Sequence, residues 1–118
     1  MSEENSREQT LDPASLGALE SYRLMTSAIV PRPIAWVSTV SKGGVHNIAP
    51  FSFFQGVSTS PPVISISIST GKKGSTKDTL RNIKCSGEFS VSLVSWGNLK
   101  PMHQSSAPYP PEYSEYDE

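Results

Sequence analysis

The stretch PRPIAWVSTVSKGGVHNIAPFSFF, residues 31–54, constrains the fold more than any other part of the chain. Prolines at its first and third positions fix φ and push the residues before them toward extended geometry. Ile34 to Val40 is rich in β-branched and aromatic side chains, which favours a half-buried strand. Gly43-Gly44 predicts a two-residue hairpin turn, because such turns favour positive φ. Residues 45–57 should therefore return as a second strand.

The second strand contains residues that are unusual for a plain core. Pro50 cannot donate a ladder hydrogen bond, so this strand must lie at an edge or be bulged or bent. It also carries Asn47, Ser52 and three phenylalanines. This mixture predicts a wall shaped around a ligand.

Length and composition favour one domain with loop or tail segments. The chain has 118 residues, ten prolines and 36% hydrophobic residues. A single cysteine, Cys85, excludes an internal disulfide and suits a reducing compartment. No apolar run approaches the roughly 20 residues that span a bilayer, and the acidic N-terminus lacks a signal-peptide pattern. We therefore expect a cytoplasmic protein that does not enter a membrane.

Charge is segregated along the chain. Residues 1–20 hold five acids and one base, and residues 101–118 hold four acids and no base. Residues 21–100 hold nine bases and two acids, and such a basic middle attracts phosphate-bearing ligands or nucleic acid. The alternative is a solvated surface with acidic tails. Nucleic acid is disfavoured because the bases are scattered and no aromatic-plus-basic signature accompanies them.

The remaining hydrophobic patterns predict further strands and one early helix. Asp12-Pro13 predicts a helix start, and the helix should run to about Ser27. VISISIST, residues 63–70, alternates strictly, so its isoleucines should face the core. Its serines should face solvent, a partner subunit or a polar ligand. Strands are predicted at residues 33–41, 45–57, 63–69 and 88–94.

A second helix is predicted after a basic loop at residues 71–74. Ser75 and Asp78 have the spacing of a capping box, and a helix from about Thr76 to Lys84 should follow. We expect this helix to bury Leu80 and Ile83 and to stop at the glycine at position 87, a natural C-terminal cap.

The start of this second helix is a candidate anion site. Ser75, Thr76 and Thr79 bring hydroxyl groups, Lys77 brings a charge, and a helix N-terminus exposes free backbone N–H groups. The GxxxxGK[ST] spacing of a P-loop is absent, and ordinary helix capping is the alternative reading.

Side chains for direct catalysis are not evident. His46 and His103 have no partners at metal-ligand spacing, and neither a GxSxG elbow nor a GxGxxG motif occurs. No catalytic residue and no metal site is therefore assigned. If the chain is an enzyme, a bound cofactor should carry the reaction.

Four ordered blocks between about Tyr22 and Glu118 resemble a known family. They are RPIAWVSTVSKGGVHNIAPFSFF, SPPVISISI, KDTLRNIKCSGEFSVSLV and SSAPYPPEYSEY, and together they resemble the flavin reductase-like family of FMN-binding split-barrel proteins. The resemblance implies a mainly β fold, a Greek-key split β-barrel with short helices. It also implies a homodimer with FMN near the interface. Family members usually continue past the YPPEYSEY-like segment, so we expect an incomplete barrel here.

The resemblance also implies which residues bind the cofactor. They are Arg32, Trp36, Ser38, Thr39, Asn47, Ala49, Pro50, Phe51, Ser52, Phe53, Lys77 and Thr79. Most of them would form the wall beside the flavin ring, where Ser52 offers a hydroxyl group. Lys77 and Thr79 match positions that hold the flavin phosphate in relatives. Arg32 is a candidate for the phosphate or for a structural ion pair.

The expected organisation is a flexible acidic tail at residues 1–19, a partial flavin reductase-like domain at residues 20–107, and a Pro/Tyr/acidic segment at residues 108–118. The implied function is an FMN-binding oxidoreductase in which NAD(P)H reduces the flavin for an acceptor or a partner oxygenase. The alternatives are a non-catalytic flavin-binding or electron-carrier module, and a truncated paralogue that acts as a structural or interaction piece.

Overall fold

A computed structural model describes residues 8–70 and 74–117 of the chain. Residues 1–7 of the predicted acidic tail, residues 71–73 of the predicted basic loop, and Glu118 lie outside the described residues. Contacts group the chain into two units, Met1–Pro31 and Arg32–Glu118.

The first unit contains a short 3₁₀ turn followed by helix α1. The turn covers Pro13–Ser15, and the side chain of Asp12 caps it by accepting from the Ala14 N–H at 3.0 Å. Helix α1 covers Ala18–Ala28, with Gly17 as its N-cap. The predicted start at Asp12 is wrong, because Asp12 caps a separate turn and the chain is extended at Leu16. The predicted helix from Leu19 to about Ser27 is confirmed.

The second unit contains two antiparallel sheets, two short α-helices, and 3₁₀ turns at Trp96–Asn98 and Glu115–Asp117. Its strands and α-helices, among the described residues, are β1 (Ala35–Val40), β2 (His46–Phe51), β3 (Phe54–Thr59), β4 (Pro62–Ile66), α2 (Asp78–Ser86), β5 (Ser90–Leu93) and α3 (Leu99–Gln104). One sheet has the order β2-β1-β5, and the other is the β3-β4 hairpin. Pro50 lies on β2, an edge strand of the first sheet, and is opposite Trp36 of β1. Of the three alternatives that Pro50 left open, an edge, a bulge or a bend, the edge position is confirmed.

The single strand predicted at residues 45–57 is two strands, β2 and β3. The chain bends at Ser52 and Phe53, and β3 then pairs with β4 in the other sheet. The ladder between β2 and β1 ends at the pair Phe51 and Ala35, because β1 begins there, just after the proline-rich entry. Without further β1 residues to pair with, the returning chain leaves the first sheet.

The turn between β1 and β2 is one residue longer than predicted. The N–H of Ser41 donates to the carbonyl of Val45 at 2.9 Å, and the N–H of Gly44 donates to the carbonyl of Ser41 at 2.9 Å. Gly44 has φ of 83°, whereas Gly43 does not adopt positive φ. This is the three-residue hairpin geometry with a left-handed final residue.

Helix α2 begins later than predicted. Lys77 is its N-cap and makes no side-chain capping bond, so Ser75 is not the N-cap that the predicted capping box requires. The carboxylate of Asp78 forms an ion pair with Arg81. Gly87 ends the helix with φ of 74°, as predicted from the sequence.

The apolar core of the second unit is small. Ala35, Val37 and Phe51 are buried, and half-buried side chains such as Ile66 and Ile68 pack against them. The expected isoleucine face is therefore only partly confirmed, because Ile64 is 45% exposed.

Helix α2 buries polar side chains where apolar ones were expected. Thr79 and Asn82 are buried, whereas Leu80 and Ile83 are only half-buried. The expectation from hydrophobicity is wrong because the neighbouring strands present polar groups to this helix. These polar groups, on Thr39 and Asn47, lie at the base of a cleft.

Candidate functional site

A cleft of about 720 Å³ lies beside β2 in the second unit. One wall is formed by Asn47 and residues 49–51 of β2, and another by residues 75–79 at the start of α2. The lining is completed by Arg81, by residues 105–109, and by Pro111 and Glu115. This volume lies within the range of about 300–1,000 Å³ that is common for small-molecule and cofactor sites.

The start of α2 makes one end of the cleft electropositive. The first N–H groups of a helix have no intrahelical acceptor, and the helix dipole is positive at this end. Lys77 is exposed there, with its Nζ 5.5 Å from the centroid of the Phe51 ring. Asp78 also lines the cleft, but its carboxylate is engaged by Arg81. The local charge balance therefore favours an anionic group.

A buried hydrogen-bond network fixes α2 against the first sheet. The Oδ1 of Asn47 accepts from the Thr79 hydroxyl at 2.9 Å and from the Thr39 hydroxyl at 3.3 Å. The Oγ1 of Thr39 in turn accepts from Nδ2 of Asn82 at 3.0 Å. All four residues are buried, so each of these polar groups depends on the others for a partner.

Glu115 connects this network to the C-terminal segment, residues 105–117. Its Oε1 accepts from Nδ2 of Asn47 at 2.7 Å, and its Oε2 accepts from the N–H of Ile48 at 3.2 Å. An ionised carboxylate can only accept, so it orients the amide NH₂ of Asn47 toward itself. The amide oxygen is thereby directed to the two threonine hydroxyls.

Two further contacts attach the C-terminal segment to β1. The indole Nε1 of Trp36 donates to the hydroxyl of Ser105 at 2.9 Å. The hydroxyls of Ser38 and Tyr116 lie 2.7 Å apart in a hydrogen bond. The segment is therefore attached to the first sheet near both of its ends.

The structure brings together six of the twelve residues that the resemblance implies for cofactor binding. Asn47, Ala49, Pro50, Phe51, Lys77 and Thr79 line the cleft. Arg32, Trp36, Ser38, Thr39, Ser52 and Phe53 do not line it. Thr79 has already donated its hydroxyl hydrogen to Asn47, so toward an anion it offers its backbone N–H.

Five of the six residues outside the lining have other neighbours. Trp36 and Ser38 contact the C-terminal segment, and Thr39 belongs to the buried network. The guanidinium carbon of Arg32 lies 5.3 Å from the centroid of the Phe53 ring. These residues support the walls of the cleft from behind or beside it.

Sequence reasoning missed Glu115, Asn82 and the C-terminal wall. Asn82 lies three residues after Thr79 and so shares its helix face, a spacing that was visible in the sequence. Glu115 lies in a segment without periodicity, and its partners are 67 and 68 residues away. No local pattern could have paired them.

The described residues also bear on metal binding and on membrane crossing. Within residues 8–70 and 74–117, no group of three or more His, Cys, Asp or Glu side chains could hold a metal ion. The helices in this described part of the chain are all too short or too polar to cross a membrane. The chemistry that the cleft offers is anion binding at the start of α2 beside an apolar wall on β2.

Comparison with protein families assigns the chain to a family. The flavin reductase like domain family matches residues 25–118, which is most of the sequence, and the chain belongs to this family. This confirms the resemblance of the four sequence blocks. An uncharacterized protein from Halalkalibacterium halodurans is 48% identical over 107 residues, covering 91% of this chain and 51% of that protein.

Solved structures confirm the split-barrel fold. Nitrilotriacetate monooxygenase component B from Bacillus cereus is similar with a TM-score of 0.84 and 37% identity, covering 93% of this chain and 54% of that one. The 2-nitrobenzoate 2-nitroreductase of Pseudomonas fluorescens has a TM-score of 0.78 and 28% identity, covering 92% and 51%. A protein with a split barrel domain from Shewanella frigidimarina has a TM-score of 0.69 at 20% identity, covering 88% and 50%. The chain spans about half the length of these proteins.

Replacing Thr79 by valine should destabilise the fold. The variant keeps a similar shape but removes the hydroxyl that donates to Asn47. The free energy of unfolding should fall by about 1 kcal/mol, because a buried acceptor loses one of its donors. Urea unfolding followed by circular dichroism measures this. Thr76→Val, exposed at the same cleft, is the matched control, and an equal loss in both variants would contradict the role of the network.

Proposed function

We propose that the chain binds FMN in this cleft and belongs to a flavin reductase-type oxidoreductase. NAD(P)H would reduce the flavin, and the reduced flavin would serve an acceptor or a partner oxygenase. The observation that carries the proposal is the combination of an anion-binding helix start and an apolar strand wall in one cleft. Membership of the family supports flavin chemistry. The similarity to a monooxygenase component supports an oxygenase partner.

The residues at the start of α2 fit the phosphate of FMN. Lys77 supplies a charge, Thr79 supplies its backbone N–H, and the hydroxyl-bearing residues Ser75 and Thr76 line the same end of the cleft. Helix N-termini bind phosphate groups through their free N–H groups and their dipole. We therefore assign the phosphate to this end.

The wall on β2 fits the flavin ring. Ala49, Pro50 and Phe51 present apolar surface to the cleft. The N–H of Ile48 points away from β1, toward Glu115, so the carbonyl of Pro50, two residues on, points the same way. This carbonyl offers an acceptor at the strand edge. When bound, FMN supplies the group that accepts hydride, and the protein supplies its position and surroundings.

The proposal includes a homodimer with FMN near the interface and a cytoplasmic location. Large apolar side chains at the end of β5 and just after it support a covered surface, since Leu93 is 74% exposed and Trp96 is 91% exposed. A chain with one exposed cysteine, Cys85, suits a reducing compartment.

Absorption spectroscopy of the purified chain, with and without added FMN, tests the proposal. We expect a flavin spectrum that stays with the protein through gel filtration, and aerobic oxidation of NADH or NADPH followed by the absorbance of the reduced nicotinamide. Bound flavin without nicotinamide oxidation would favour a flavin-binding or electron-carrier module. A colourless protein whose melting temperature does not rise with FMN would contradict flavin binding.

Lys77→Ala should weaken FMN binding. The loss of a charge-assisted hydrogen bond to the phosphate should cost about 1.5–3 kcal/mol of binding free energy. Quenching of flavin fluorescence on titration measures the dissociation constant. Lys84→Ala is the matched control, because Lys84 lies in the last turn of the same helix and outside the cleft lining. Unchanged affinity in Lys77→Ala would remove Lys77 from the site.

The homodimer is tested by light scattering coupled to size exclusion. We expect a particle with twice the chain mass of 12.8 kDa, because a surface that exposes Trp96 and Leu93 favours association. Adding FMN should not lower this mass. A single-chain mass at all protein concentrations tested would contradict an interface site.

A further inference from the structure

The C-terminal segment forms one wall of the cleft and is attached to the first sheet near both of its ends. The backbone hydrogen bonds of this stretch are local, from Tyr109 to Ala107 at 3.1 Å and from Tyr113 to Pro110 at 3.0 Å. Prolines stiffen the stretch between Ser106 and Ser114 because each fixes φ. A stiff segment is positioned by the contacts at its two ends.

The contacts at those ends differ in kind. Near the beginning, Ser105 accepts one neutral hydrogen bond from Trp36. Near the end, Glu115 accepts two hydrogen bonds with one carboxylate, from Asn47 at 2.7 Å and Ile48 at 3.2 Å. Hydrogen bonds to an ionised acceptor are about twice as strong as neutral ones. At the same end the hydroxyl of Tyr116 shares one neutral hydrogen bond with Ser38 at 2.7 Å. With two charge-assisted bonds, Glu115 is therefore the stronger attachment at this end of the segment.

This attachment acts directly on the cleft. Asn47 and Glu115 both line it, and Asn47 also accepts from Thr79 at the start of α2. The bond between Glu115 and Asn47 therefore joins the C-terminal wall to the strand wall. The bond between Asn47 and Thr79 joins that strand wall to the anion-binding end.

We propose that Glu115 is a positioning residue of the flavin site. Its carboxylate holds residues 105–117 against β2 and so sets the separation of the C-terminal wall from the strand wall. Glu115 does not act on the flavin itself. The inference rests on the proposed function, since it concerns how that cleft is shaped for its ligand.

Glu115→Gln tests the inference with almost no change in shape. The amide oxygen of glutamine can still accept a hydrogen bond from Asn47 or from Ile48. Its NH₂ group replaces the second carboxylate oxygen, so it faces the other of these two donors and cannot accept from it. Two measurements are needed: hydrogen exchange of the Ile48 amide by NMR, and the FMN dissociation constant by fluorescence titration. We expect faster exchange at Ile48 and an FMN dissociation constant raised about tenfold, as for loss of one charged hydrogen bond.

Glu112→Gln is the matched control. Glu112 is an exposed carboxylate in the same segment, outside the cleft lining, so the variant removes the same charge without removing the attachment. Exchange at Ile48 and the affinity for FMN should match those of the wild-type chain. If Glu115→Gln does not fold, Glu115→Asp keeps the carboxylate but shortens its reach. It should then show the same two changes.

The outcomes separate this inference from the proposed function. A wild-type chain that does not bind FMN overturns both. A wild-type chain that binds FMN, with an unchanged dissociation constant in Glu115→Gln, overturns the inference alone. A purely structural attachment would lower the midpoint of thermal unfolding and leave the FMN affinity of the folded variant unchanged. Equal losses of affinity in Glu112→Gln and Glu115→Gln would also overturn it, since charge alone would then explain the effect.

Discussion

The side-chain amide of Asn47 is the interaction on which the rest of the second unit depends. It lies on β2, accepts from hydroxyls on β1 and α2, and donates to the C-terminal segment. Buried polar networks stabilise a fold only when every member has its partners, because an orphaned member in a medium of low dielectric constant is costly. Four separate parts of the chain must therefore be in place together. The small apolar core around Val37 does not impose this requirement by itself.

Much of the local structure could be predicted from residue type. Proline at position 50 indicated an edge strand, and Gly87 indicated the end of α2, because each residue has a strong backbone preference. The bend at Ser52 and Phe53 could not be predicted in this way. It depends on where β1 begins at Ala35, and so on a partner that is distant in sequence.

The candidate site was predictable in part for the same reason. The helix start around Lys77 has a recognisable local pattern, and the structure sets it beside β2 in one cleft. The inward face of α2 was misjudged, since hydrophobicity favoured Leu80 whereas Thr79 is the buried residue. A polar side chain is buried when the opposing strand supplies a partner, and that partner, Asn47, lies in another element. Pairing of this kind is a property of the fold, and no single window of sequence contains it.

The bend between β2 and β3 connects the two sheets directly beside the cleft. Phe51 lines the cleft and ends β2, while Phe54 begins the hairpin of the other sheet. The N–H of Ser67, just after β4, donates to the carbonyl of Phe53 at 2.9 Å and so ties the hairpin to the bend itself. Only Ser52 and Phe53 separate the hairpin from the strand that lines the cleft. Val57 of this hairpin is 60% exposed, so a partner that packs there would contact an element joined to the cleft wall by two residues.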